Sequence, residues 1–382
     1  MVDKNKSHEW NLSHLFNSDD DPQIHEKRKI WGRETRKFVD RWKDRTDYTQ
    51  DPLILRQALD EFDLWLTNYG LEADEVFYFH LRSTQDENNP KIKAACNKVE
   101  EFTIKLENDT QFFTHRIAKI PKEKQSLFLE NPQLRKYKHF LQKSFENAKY
   151  LLSEPEEKIL NLKSPQSYSL WVKMTSSFLA KEEAIVLDEN NKKTKKTFAD
   201  LMSLISSPKK KVRDDAARAF NEILAKHVDV AENEINAVLQ DKKVNDNLRR
   251  LKRPDEARHV SDDIETEVVD AMLEAVTKSF TISQRFYKLK AEVLGVKKLK
   301  YYERNVDLAH ANKDYSYEDS VKLIQKVFSN LDKEFLDIFN DFNNKGLIDA
   351  FPRKGKRSGA FCAATLKTAP TYILLNHTNK IR

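Results

Sequence analysis

Glycine and cysteine are the residues this chain uses least. Only six glycines occur in 382 residues. That scarcity argues against a β-sandwich or barrel, whose many tight turns need the left-handed backbone that glycine adopts freely. The two cysteines, Cys96 and Cys362, lie far apart and form neither a metal pair nor a disulfide framework. A reducing cytoplasm is the setting that usage predicts. No run approaches the roughly 20 apolar residues of a membrane span. The opening MVDKNKSHEWNLSHLF carries no apolar core of signal-peptide length. Neither sign of charge dominates, since 67 basic against 61 acidic residues leave a formal +6. So small and dispersed an excess is a weak footprint for nucleic acid. Neither nucleic acid nor a membrane is expected as a partner.

What the chain has instead is helical patterning. Hydrophobic residues make up 39% and charged residues 34%, enough apolar mass to fold under a strongly polar surface. The length predicts two or three domains or subdomains. A first helix over about 23–45 carries Ile30, Trp31, Phe38, Val39 and Trp42 on one face. Asp51-Pro52 and Asn89-Pro90 each pair a capping side chain with a proline at the first helical position. The helix after Asp51 lines up Leu55, Leu59, Phe62 and Leu66 and stops at Gly70. Cys96 falls on the apolar stripe of the helix after Pro90 and reads as a core residue. Ser153 and Glu156 have capping-box spacing. Residues 184–198 change period and predict a small hairpin with a lysine-rich turn. Asp214 and Asp215 read as a solvated helix face, because adjacent helix positions point about 100° apart. The basic run NLRRLKRPDEARHV reads as a helix end and connector. Ser261 is expected to cap one long helix to Leu294, and LKYYERNV an extended connector. A single long pattern runs from Ser316 through Phe342.

No complete set of catalytic groups emerges. A mononuclear zinc hydrolase places His at i and i+4 on one helix face with Glu between them. Here His8-Glu9 is followed by His14, and His25-Glu26 by Lys29. G-x-S-x-G, G-x-x-x-x-G-K-[ST] and G-x-G-x-x-G are all missing. Cys362 has no local signature of a nucleophile.

The stretch that breaks the helical pattern is 346–376, GLIDAFPRKGKRSGAFCAATLKTAPTYILLN. Half of the glycines fall in its first part, at Gly346, Gly355 and Gly359. A glycine stop, a basic loop and two short apolar runs follow one another. A structural hairpin capping a helical body and a binding edge of extended backbone both fit these residues.

The segment PRKGKRSGAFC at 352–362, with YILLN at 372–376 behind it, resembles the oligoendopeptidase F family, relatives of thimet oligopeptidase. YKHFLQKSFENAKYLLSEPEEKI at 137–159 and the runs at 247–276, 301–306 and 315–318 resemble other family segments in the same order. The resemblance implies a zinc metalloendopeptidase that cleaves short peptides in a channel between helical halves. It implies an all-α, multi-helix body with a small β-hairpin or sheet near the C-terminal end lining the cleft. The implied domains are an N-terminal helical region at 1–115, an oligoendopeptidase F N-terminal-type helical domain at 116–200, and at 201–382 the first part of the catalytic domain. By the same resemblance Gly359, Ala360, Phe361 and Cys362 border the substrate, together with Arg357 and Tyr372. The family's H-E-x-x-H is not in these 382 residues. The expectation is therefore a fragment without zinc ligands, inactive alone, with a C-terminal catalytic half as its partner. A non-catalytic helical peptide-binding or scaffold protein is the alternative.

Overall fold

The computed structural model describes residues 8–69, 73–306, 308, 315–364 and 369–377. Several helix starts follow the side-chain chemistry of their caps. The Asp21 carboxylate accepts from Gln23 N ahead of α1 (Pro22–Trp42), and Asp51 accepts from Leu53 N ahead of α2 (Pro52–Tyr69). The expected Gly70 stop lies outside the described residues. After α3 (Asp74–Gln85), Asn89 caps the amides of Lys91 and Ile92 to open α4 (Pro90–Ala118). Then come α5 (Lys122–Leu129) and α6 (Lys138–Asn147), and the Ser153–Glu156 capping box opens α7 (Glu154–Ser164). A π-helical turn over Pro165–Ser169 leads into α8 (Leu170–Leu179).

The predicted hairpin forms as β1 (Glu183–Leu187) and β2 (Lys193–Thr197), antiparallel. Helices α9 (Phe198–Leu204), α10 (Lys210–Lys226), α11 (Val228–Leu248), α12 (Glu256–Asp262), α13 (Thr266–Lys278) and α14 (Phe280–Val293) follow. Helices α15 (Tyr317–Leu331) and α16 (Lys333–Asn344) lead to β3 (Ile348–Asp349), β4 (Phe361–Ala363) and β5 (Tyr372–Leu374). The expectation of a mainly helical body with a small sheet near its C-terminal end holds.

One core lies among α1, α2, α4, α5 and α6, where Trp42, Tyr48, Phe113 and Phe128 are fully enclosed. Phe113 packs at 5.3 Å from Phe38 and 4.9 Å from Phe62, and burying such a ring stabilises the fold by about 1.5–3 kcal/mol. At the C-terminal end of α2 the inward residue is Trp65, whose indole N–H reaches Thr35 Oγ1, and the expected Leu66 is exposed. A second core joins Trp10 and Leu12 to Phe77 and Leu81 of α3 and to Tyr372 and Leu374 of β5. A third holds the β1–β2 hairpin against α9 and α10.

Four readings are corrected. Ser261 lies inside α12, which ends where Asp263 turns left-handed at φ 53°, and the long helix expected beyond it divides at Ser279 into α13 and α14. The pattern after Ser316 likewise divides: Asp332 becomes extended and its carboxylate caps α16 through Glu334 N. The LKYYERNV segment contains a 3-10 turn over Tyr301–Asn305, tied by the buried ion pair between Arg213 and Glu303 at 2.9 Å. Asp215 is no solvated residue. It accepts from Leu187 N and Lys193 and so fixes the hairpin to α10. Burial pushes its carboxyl up, but Lys193, the Leu187 amide and Arg218 outweigh that and bring the pKa to about 2. Much of the basic run is paired internally, with Arg249 bidentate on Glu157 and Arg253 on both Asp255 and Asp270.

The apolar stripes of α13 to α16 are real but largely uncovered. Met272, Phe286, Val327 and Phe335 each leave about half of the side chain exposed, at 55%, 51%, 54% and 51%.

Two glycines behave differently on substitution. Gly355 has φ 84°, and a Cβ there would sit 2.4 Å from Asp86 Oδ1; Gly359 has φ 83° with nothing within 4 Å. Gly359→Ala should cost only the left-handed backbone penalty of about 1–2 kcal/mol. Gly355→Ala should cost clearly more, because the Asp86 turn must also move. Urea midpoints of the two variants check the order, and equal losses would overturn it.

Candidate functional site

The C-terminal sheet has strand order β3-β5-β4, with β3 parallel and β4 antiparallel to β5. The outer side of β3 is closed by the start of the chain. Ala350 N donates to His8 O at 2.9 Å, and Asn11 N donates to Gly346 O at 2.7 Å. The Trp10 indole N–H is shared between Leu347 O and Ile373 O, at 3.1 and 2.9 Å. The other side of the sheet, β4, pairs only with β5 among the described residues. It is an open backbone edge.

Gly359, Ala360 and Cys362 are exposed along that edge. Phe361 is half-buried, its ring 6.1 Å from Trp10 and 6.5 Å from His80. In the β4–β5 pairing Phe361 and Ala363 lie opposite Leu374 and Tyr372, while Cys362 faces the other way with Ile373. Tyr372 does not join this surface. It is fully buried against Trp10 and Phe77, its hydroxyl donates to Asn11 O, and burial pushes its phenol up to about 12. Arg357 is tethered: its backbone N–H donates to Thr84 O, its guanidinium to Glu87, and its carbonyl accepts from Asn376. The same Asn376 amide donates to Gly359 O at 2.8 Å, so one side chain holds both ends of the turn before β4.

What positions the turn is a buried charge cluster invisible in the basic run. Lys356 is enclosed and donates to Asp349 Oδ1 at 2.6 Å, Phe351 O at 2.7 Å and Leu375 O at 2.6 Å. Asp349 also accepts two bonds from Arg353 and one from Gln85 of α3. Burial pushes the Asp349 carboxyl up, yet the bonds from Arg353, Gln85 and Lys356 outweigh it and hold it below the usual carboxylate range. Burial pulls the Lys356 ammonium down, and Asp349 offsets only part of that.

Beside β4, across His80 and Arg357, opens a groove of about 850 Å³ between α3, α4 and α8. Partial burial of the ring and the charge of Arg357 hold the His80 imidazole below its ordinary value, although its outer edge is exposed. Cys96 lies half-buried in the groove wall, its Sγ on Phe79 O, and burial pushes its thiol up. That agrees with its reading as a packed residue. Nothing here resembles a metal centre: among the described residues no group of three or more His, Cys, Asp or Glu could hold an ion. Several histidines serve the fold instead, His115 on Leu152 O, His139 on Asp263 and His227 on Glu182. No helix among the described residues is long and apolar enough to cross a membrane.

Residues 116–181 match the family model described as Oligopeptidase F, and residues 203–382 the one described as Peptidase family M3. The chain is 22% identical over 311 residues to oligopeptidase PepF of Bacillus subtilis, covering 80% of this chain and 46% of that protein. It is 24% identical over 395 residues to an oligoendopeptidase F homolog of Borreliella burgdorferi, covering 100% of this chain and 63% of that one. Among solved structures, oligoendopeptidase F from Enterococcus faecium superposes with a TM-score of 0.63 at 17% identity, over 84% of this chain and 61% of the other. That likeness speaks to the fold. The chain spans roughly half to two thirds of the length of these curated relatives.

The cluster under the turn should respond asymmetrically. Asp349→Leu strands two cations in a site built around an anion and should cost about 3–5 kcal/mol. Lys356→Met leaves Asp349 bidentate on Arg353 and should cost less, about 1–3 kcal/mol. With its folded pKa depressed, Asp349 contributes stability that is present above the unfolded value near about 3.9 and lost as pH falls through the folded one. Asp349→Asn should therefore flatten the acid limb of urea midpoints measured from about pH 5 downward. An unchanged limb would overturn the role given to Asp349.

Proposed function

The chain belongs to the oligoendopeptidase F family of M3 peptidases, and on that premise we propose that it binds short peptides along β4 for a zinc-dependent metalloendopeptidase. The observation that carries the reading is the open edge of β4 beside a groove. Backbone N–H and C=O groups on a free edge pair with any extended chain, which gives binding tolerant of substrate sequence. Gly359 and Ala360 let that chain approach closely. Phe361 and Cys362 supply the edge itself, and Arg357 places a guanidinium where edge and groove meet. Tyr372 supports the edge from behind, packed in the core.

Zinc, when bound in such an enzyme, polarises the scissile carbonyl and activates water. The residues described here do not fit it, because no convergent donor set exists among them. What these side chains can do is bind and orient a peptide. We take residues 201–382 as the first part of the catalytic domain, and further length like that of the relatives as the part that supplies the metal. The half-exposed apolar faces of α13 to α16 support such a covering partner. The two unpaired thiols fit a cytoplasmic setting.

Two measurements test this. The purified 382-residue chain with added zinc should bind a bradykinin-sized peptide, and the peptide should slow alkylation of the exposed Cys362 several-fold, without hydrolysis. Cleavage would overturn the division between binding and cutting, and full reactivity of Cys362 in the complex would overturn the edge. The same chain should brighten a hydrophobic dye and associate with rising concentration. A strictly monomeric, dye-silent protein would remove the covering partner.

A further inference from the structure

Helix α8 runs antiparallel to α4, as two ties show, Lys93 to Ser177 and Lys173 to Glu100, and α7 extends that wall with Asn161 on Asn108. Between the ties the two helices stand apart, and α3 closes the third side of the groove with Val76 and Phe79. Apolar side chains such as Ile104 and Met174 line its length.

The charges along it are not evenly matched. Glu100 is paired with Lys173 and Glu87 with Arg357. Two lysines at one end, Lys93 and Lys181, have no carboxylate at ion-pair distance among the described residues, and at the other end Glu107 has no cation. Burial pulls the Lys93 ammonium down, with Lys181 adding to it, and burial pushes the Glu107 carboxyl up. Asp86 and Glu87 line the same end and offset only part of the pull on Lys93, whereas burial alone acts on Glu107. From position 93 to 107 the helix rises about 21 Å at about 1.5 Å per residue.

We propose that this groove is a directional peptide seat, taking a peptide of about six extended residues at about 3.3 Å each, unblocked at both ends. Its α-amino group lies at Glu107 and its carboxylate between Lys93 and Lys181. His80 and Arg357 join the lysine end of the groove to β4, so the bound chain runs amino to carboxyl toward the sheet edge. The proposal rests on the reading of this region as peptide-binding and adds the polarity and the length.

The test uses the full 382-residue chain and one neutral hexapeptide in four forms: free, N-acetylated, C-amidated and doubly blocked. Calorimetry should find each block weakening binding about tenfold, the scale of one lost charge-assisted hydrogen bond. Glu107→Gln should abolish only the penalty for acetylation. The double variant Lys93→Met, Lys181→Met should abolish only the penalty for amidation. The comparison of the four peptides on the unaltered chain decides the matter even if a variant fails to fold. Equal affinities for all four forms overturn the polarity while leaving peptide binding intact. Binding of none of them, together with a Cys362 that the longer peptide also fails to protect, overturns both.

Discussion

The ion pair between Asp349 and Lys356 is the constraint on which the C-terminal part of this fold depends. Two side chains with no exposed surface meet at 2.6 Å, and each is also bonded to a different neighbour. Asp349 reaches Gln85 on α3 and Arg353 in its own loop, while Lys356 reaches the carbonyls of Phe351 and Leu375. One pair thus fastens the end of β3, the chain just after β5 and the turn before β4 to the helical body. Charges so enclosed are a weak source of net stability, yet removing Asp349 leaves the buried Lys356 without its ion-pair partner. The turn carrying Arg357 and Gly359 inherits its position from them.

How much of this could be read in advance follows the distance over which each interaction acts. Caps at Asp51, Asn89, Ser153 and Ser316 were legible because the capping group and its amides lie within three residues. The β1–β2 hairpin was legible because its period changes within a few positions. The break at Asp332 was hidden by an apolar stripe that continues through it; a carboxylate capping the next turn outweighs that periodicity. The burial of Lys356 was not legible at all. In the string Lys354-Gly-Lys-Arg357 it looks like its neighbours, and its carboxylate partner's tie to Gln85 spans 264 positions.

The candidate site divides the same way. The edge at Gly359 to Cys362 could be named from a local motif and its resemblance. The groove could not, because α4 supplies one wall and α8, some eighty residues later, supplies the other. Edge and groove nonetheless meet at His80 and Arg357. Backbone edges tolerate any sequence, whereas unmatched lysines and a glutamate favour a particular direction. Joined, they combine breadth of ligand with a defined orientation, a pairing that neither an edge nor a charged cleft provides alone.

The staple made by Trp10 also sets an order of events during synthesis. Its indole waits for the carbonyls of Leu347 and Ile373, 337 and 363 positions later. At about 5–20 residues per second that is roughly twenty to seventy seconds after Trp10 leaves the ribosome. Meanwhile the core of α1, α2, α4, α5 and α6 has every residue it needs. The segment around Trp10 is therefore among the last to dock, although it is made long before its partners.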